Sequence, residues 1–187
     1  MTKSKQEPYL LTPGPLTTSI QTKKAMLQDL GSRDAKFIAI NKRVLNELLN
    51  ISNGKNTHVC VPLQGSGTFI VEAVLSTMIP KEGKALVLVN GAYGQRMAKI
   101  LQYAGKEYST LETPENVPPN LMKLDSTLKK DKKISHVLVV FCETTSGILN
   151  PIEKISRIVA ENGRRLIIDA MSSFGAIELD ARKVSFD

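Results

Sequence analysis

The segment KALVLVNGAYGQRMAKILQYAG, residues 84–105, decides the fold class. Lys84 leads into an unbroken apolar run, Ala85 to Val89. A strand with no polar alternation is one covered on both faces, as in parallel sheets. Gly91 and Gly94 frame a turn, and QRMAKILQYAG then reads as a helix. Strand, glycine turn and helix in direct succession is the unit from which an α/β protein is built.

Working outward, the same rhythm repeats. THVCVPL (57–63) reads as a strand, QGSG as a turn and TFIVEAVLSTMI (68–79) as a helix. KEYSTLE (106–112) reads as a weaker strand. The Pro-rich loop TPENVPPN and the helix LMKLDSTLKK (121–130) follow it. SHVLVVFCE (135–143) is a strand, TTSGILNP a loop, IEKISRIVAENG (152–163) a helix and RRLIIDA (164–170) a further strand. The pattern predicts a three-layer α/β sandwich with a mostly parallel sheet. Upstream, SIQTKKAMLQDLG (19–31) predicts a helix capped by Thr18 or Ser19. DAKFIAINKRVLNELLNISNG (34–54) predicts a second, amphipathic helix stopping before Asn53-Gly54. Residues 1–18, rich in proline and threonine, read as an extended arm, and residues 19–187 as the sheet-bearing domain.

Composition narrows the function classes. The 187 residues suffice for one domain with a real core. Apolar residues at 42% and charged residues at 23% argue against a disordered or collagen-like chain. The net charge of +7 is spread along the chain. Only KKDKK (129–133) clusters, without interleaved aromatics, so nucleic acid is not an expected partner. That run reads as a solvated turn. A basic surface suits anions such as phosphates. Cys60 and Cys142 sit in or at the end of apolar runs and read as core or near-core thiols. With His58 and His136 they match no zinc spacing, so no metal is expected. The N-terminus has no apolar signal region and no apolar run approaches membrane-spanning length, which gives a cytoplasmic expectation without membrane association.

In parallel sheets the ligand lies beyond the carboxyl ends of the strands. Those ends carry Gln64-Gly65-Ser66-Gly67-Thr68, Asn90-Gly91-Ala92-Tyr93-Gly94, Glu143-Thr144-Thr145-Ser146-Gly147 and Asp169-Ala170-Met171-Ser172-Ser173. Each has a structural alternative. GSG can be a tight turn, since it lacks both the Walker lysine and the full dinucleotide spacing. Tyr93 can be a packing residue, Thr144 and Thr145 can stiffen a loop, and Asp169 can pair with Arg164, Arg165 or Arg182. Together they offer a phosphate site at a helix start, an aromatic ring, hydroxyl donors and an acid. Pyridoxal 5′-phosphate needs that whole set. Its pyridine nitrogen in particular needs a carboxylate, which keeps it protonated and makes the ring an electron sink.

LLTPGPLTTS (10–19), LQGSGTFIVEA (63–73), NGAYGQRM (90–97), CETTSGILNP (142–151) and DAMSSFGA (169–176) together resemble the 2-aminoethylphosphonate–pyruvate transaminases. These are grouped with the alanine–glyoxylate and serine–pyruvate aminotransferases among fold-type-I pyridoxal-phosphate enzymes. The resemblance implies a pyridoxal-phosphate-transferase large domain. It implies that Ser66, Gly67 and Thr68 hold the cofactor phosphate and that Tyr93 stacks on the ring. Thr144 would donate to the phenolic oxygen, Asp169 would pair with the ring nitrogen, and Met171 would pack on the other face. The arm at Thr12, Pro13 and Gly14 would reach towards the substrate. The implied reaction takes 2-aminoethylphosphonate and pyruvate to phosphonoacetaldehyde and alanine, in a protein that is a homodimer at full length. The family's Schiff-base lysine falls beyond Asp187, and Lys183 comes too early for that role. The chain therefore reads as an N-terminal half, with the end of the large domain and the small domain absent, and inactive alone. Two other readings stay open: an alanine–glyoxylate or serine–pyruvate aminotransferase, and a non-catalytic binding module.

Overall fold

The computed structural model describes residues 8–12 and 14–187. It divides into two compact units, 1–44 and 45–187. In the first, Ser19 caps α1 (Ile20–Ala25), its hydroxyl accepting from the Thr22 amide. The helix predicted to run to Gly31 thus stops at Ala25. It has no buried residue, and a short helix without a packed face gains little from extension. α2 (Ala35–Ile51) begins in the first unit and ends before Asn53, whose φ of 52° breaks the helix.

The second unit holds α3 (Gly67–Met78), β1 (Lys84–Val89), α4 (Ala92–Tyr103), β2 (Glu107–Glu112), α5 (Leu121–Lys130), β3 (Ile134–Val140), β4 (Cys142–Glu143), β5 (Ile148–Leu149), α6 (Ile152–Glu161) and β6 (Arg165–Asp169). Four strands form one parallel sheet in the order β2-β1-β3-β6. Strand alternation divides the core between its two faces. Leu86, Leu88, Val137, Val139 and Leu166 pack with Leu124 and Leu128 of α5 and Ile155 and Val159 of α6. Ala85, Val87, Val89, Leu138, Val140 and Ile167 pack with Leu75 of α3 and Met97 and Leu101 of α4. This is the three-layer α/β sandwich that the apolar runs imply.

Three local readings need correction. THVCVPL forms no strand: Val59 and Val61 are 82% and 68% exposed. An isolated extended segment has nowhere to place its backbone hydrogen bonds, and no described segment pairs with it. The fourth apolar run ends as a ladder at Val140. Cys142–Glu143 turns away and pairs antiparallel with β5, so the expected loop contains a small hairpin. KKDKK is more than a solvated turn, because Asp131 bonds Lys84 Nζ at 2.8 Å and ties the end of α5 to the start of β1. Lys84 is the chief cause that holds the Asp131 carboxyl below its ordinary range. Cys60 and Cys142 are both half-buried free thiols.

Candidate functional site

β1 crosses through α4 to β2 on one side, while its other neighbour β3 leads on to β6. The chain reverses its direction of progress between β1 and β3, and a crevice opens at the carboxyl ends of such strands. The residues expected there are Tyr93 after β1, Thr144 after β3 and Asp169 at the end of β6.

Asp169 occupies the same pleat parity as Ile167, so it points to the face covered by α3 and α4. Opposite it in register is Val140. Asp169 is half-buried, and its Oδ1 accepts from the Met171 amide at 3.0 Å. None of the three candidate arginines reaches it. Arg182 forks onto Asp180, Arg165 pairs with Asp187 at 3.2 Å, and Arg164 Nη1 bonds the Gly163 carbonyl. Among the described residues Asp169 therefore has no cation partner. A half-buried carboxylate in that position is a ready partner for a ligand cation.

A cleft of about 210 Å³ lies beside it, lined by Gly67, Val71 and Leu75 of α3, Met97 of α4, and Ile167 to Met171. The N-terminus of α3 and Asp169 thus share one cleft. At that terminus the Ser66 hydroxyl accepts from the Phe69 amide at 3.2 Å. Gly67 lies so close to the Met171 methyl that a Cβ there would collide with it. Met171 itself is 69% exposed. A larger cleft of about 320 Å³, lined by Phe141, Ile152, Leu179 and Val184 among others, includes none of the predicted site residues.

Tyr93 is half-buried at the start of α4, with the Arg96 guanidinium 4.6 Å above its ring centre. Arg96 Nη1 also donates to Thr68 Oγ1 at 3.2 Å, so the start of α3 and the Tyr93 ring are bridged by one cation. The two threonines after Glu143 separate in role. Thr145 Oγ1 donates to Glu143 Oε1 at 2.9 Å, whereas the half-buried Thr144 hydroxyl has no hydrogen bond among the described residues. Thr12 and Gly14 lie in the other compact unit, where Thr12 Oγ1 bonds the Pro15 carbonyl. Pro13 lies outside the described residues.

Sequence reasoning missed Arg96, and it placed Glu143 and Asn90 at strand ends without giving either a role. Asn90 forms a reciprocal amide pair with Asn150, at 2.9 and 3.1 Å, which fastens the end of β1 to the loop before α6. A polar residue directly after a buried strand is the only sequence signal for it.

The class-V aminotransferase family model matches residues 21–187. The chain belongs to the class-V aminotransferases. A 2-aminoethylphosphonate–pyruvate transaminase of Pseudomonas aeruginosa is 54% identical over 187 residues, all of this chain and 50% of that protein. The chain spans about half the length of the curated relatives it matches. The fold recurs in a pyridoxamine–pyruvate aminotransferase from Mesorhizobium loti. The TM-score is 0.85 at 24% identity, over 98% of this chain and 47% of that one. It recurs also in an alanine–glyoxylate aminotransferase from a Nostoc species, with a TM-score of 0.84 at 23% identity, over 100% of this chain and 50% of that one. Family and fold imply pyridoxal 5′-phosphate as cofactor. The residues fit it: among those described Asp169 has no cation partner and the Thr144 hydroxyl no hydrogen bond, and the start of α3 lines one cleft with Asp169. Among the described residues no helix is long and apolar enough to cross a membrane.

Proposed function

We propose that the protein transfers the amino group of 2-aminoethylphosphonate to pyruvate, giving phosphonoacetaldehyde and alanine. The observation that carries this reading is Asp169, a carboxylate without a cation among the described residues, set in one cleft with the N-terminus of α3. Such a cleft suits a ligand with a cationic ring nitrogen at one end and a phosphate at the other. In this reading Ser66, Gly67 and Thr68 hold the phosphate through amides and hydroxyls at the helix start. Tyr93 lies on one ring face and Met171 on the other, and Thr144 donates to the phenolic oxygen. Asp169 keeps the ring nitrogen protonated. When bound, the cofactor supplies the electron sink for the bond broken at the amino-bearing carbon.

The arm at Thr12, Pro13 and Gly14 is assigned to substrate binding by resemblance, with residues 1–18 as the arm and 19–187 as the cofactor domain. Homodimerisation and a cytoplasmic location belong to the same proposal. The choice of 2-aminoethylphosphonate over alanine as donor is supported by the 54% identical relative, whose likeness extends over the whole of this chain.

No lysine lines the Asp169 cleft among the described residues, and Lys183 faces Glu178 at 3.4 Å and Asp180 at 3.9 Å. The 187-residue chain by itself is therefore expected to bind cofactor without forming alanine. Deletion of the gene, followed by growth on 2-aminoethylphosphonate as sole nitrogen source, tests the substrate. Growth is expected to fail, and unchanged growth overturns the assignment. Loss of alanine-dependent glyoxylate consumption instead selects the alanine–glyoxylate reading.

A further inference from the structure

Glu143 is fully buried, at 0% exposure, and among the described residues it has no cation partner. A carboxylate removed from water in this way persists only if its oxygens are hydrogen-bonded. Its bonds come from two directions. Oε1 accepts from the Tyr93 amide at 3.3 Å, and Oε2 from the Gly94 amide at 3.4 Å. Oε1 also accepts from the Thr145 amide at 3.4 Å and from the Thr145 hydroxyl at 2.9 Å. That hydroxyl in turn lies 3.5 Å from the Ala92 amide. The first set belongs to the opening turn of α4, which carries Tyr93. The second belongs to the turn that carries Thr144. The negative charge also sits at the positive end of α4.

Gly91 completes the arrangement. A Cβ at that position would collide with Glu143 Cγ and Cδ and crowd Thr145 Oγ1. The glycine ahead of Tyr93 is thus the space into which the Glu143 side chain packs. Of the two helix starts at this edge of the sheet, that of α4 is already closed by an internal anion, whereas among the described residues no carboxylate caps that of α3. The phosphate of a ligand is left with α3.

We propose that Glu143 is a positioning residue of the cofactor site: it locks the Tyr93 ring and the Thr144 hydroxyl in fixed relation to each other. The inference rests on the cofactor reading given under Proposed function. Glu143 touches no ligand itself and acts through the two residues it braces. Gln at this position keeps the volume but loses the charge and turns a donor towards at least one of the amides. Thr145→Val removes the shortest bond to the carboxylate and leaves the buried charge in place.

The test is a titration of the full chain with pyridoxamine 5′-phosphate, which has no aldehyde to react with surface lysines. The chain contains no tryptophan, so ligand emission is read directly. For Glu143→Gln the expected result is an affinity loss of about tenfold, the worth of a charge-assisted hydrogen bond. The emission spectrum of the saturated ligand is expected to shift as well, because ring and hydroxyl no longer meet it in one geometry. Thr145→Val gives the same changes on a smaller scale and serves as the readout if Glu143→Gln does not fold. An affinity within twofold of wild type overturns the inference. So does weakened binding with an unchanged saturated spectrum, which marks a role in stability alone. Failure of the unmutated chain to bind overturns the cofactor reading and the inference with it, and that outcome is distinct from both.

Discussion

Asp169→Asn is the substitution whose outcome bears most directly on the site. In the folded chain Asp169 Oδ1 accepts from the Met171 amide at 3.0 Å, and the half-buried side chain has no cation partner among the described residues. Asparagine keeps an oxygen for that amide, so the turn after β6 survives. It presents a donor where a protonated ring nitrogen also needs to donate. The loss is one charge-assisted hydrogen bond, worth about 1.5–3 kcal/mol. Partial solvent access places Asp169 near the lower end, about 1.5 kcal/mol, or roughly a tenfold weaker affinity for pyridoxamine 5′-phosphate. Fluorescence titration at fixed salt measures it. Asp125→Asn, on α5 and outside the Asp169 cleft, is the control and is expected to bind as wild type. The loss should shrink at alkaline pH, where the ring nitrogen of the ligand gives up its proton and the wild-type advantage disappears. Equal affinity of Asp169→Asn and wild type at neutral pH refutes the pairing of this carboxylate with a ligand cation.

Three further outcomes are expected. Arg96→Ala removes an exposed cation beside Thr68 and should cost about 1 kcal/mol, roughly fivefold, in binding pyridoxamine 5′-phosphate. Binding of unphosphorylated pyridoxamine should be unchanged, and parallel titrations of the two ligands check this. Asn90→Ala breaks the reciprocal pair and leaves the buried Asn150 amide short of partners, so unfolding in urea should show a loss of about 1–3 kcal/mol. His136 is 2% exposed in β3, and burial is the main cause that holds its pKa below the ordinary value. The Asp187 charge opposes that shift and Arg165 adds to it. The unfolded chain binds the proton first, so this group leaves stability intact above about pH 6.5 and lowers it as pH falls through and below that value. Urea midpoints at pH 7.5 and 5.5 should differ less in His136→Leu than in wild type.

Much of the architecture was legible because burial on both faces leaves an unmistakable mark on sequence. Ala85 to Val89 and Val137 to Val140 are apolar without alternation, and both became central strands. THVCVPL shows the limit of that signal. Its apolar residues state that the segment suits a sheet, but a strand exists only with a neighbour, and pairing is a property of the whole chain. α1 shows a different limit: a cap at Ser19 marks where a helix starts, while its length depends on a packed face that Ile20–Ala25 lacks.

The site divides along the same line. Asp169 stands out in the sequence because a charged residue at the end of an oily strand violates a local rule. What sequence could not give was the absence of its rivals, since Arg164, Arg165 and Arg182 are near enough in sequence to neutralise it. Only the fold shows each of them engaged elsewhere. Glu143 posed the reverse problem. It stands beside Thr144 and Thr145 in a polar loop where an acid violates nothing, so its burial was invisible. Its four donors come from residues 93, 94 and 145, brought together only when β1 and β3 lie side by side. An exposed-looking acid that turns out fully buried is therefore the stronger clue to design in this site. Two loops far apart in sequence have been given a single anion to share, and their relative placement follows from it.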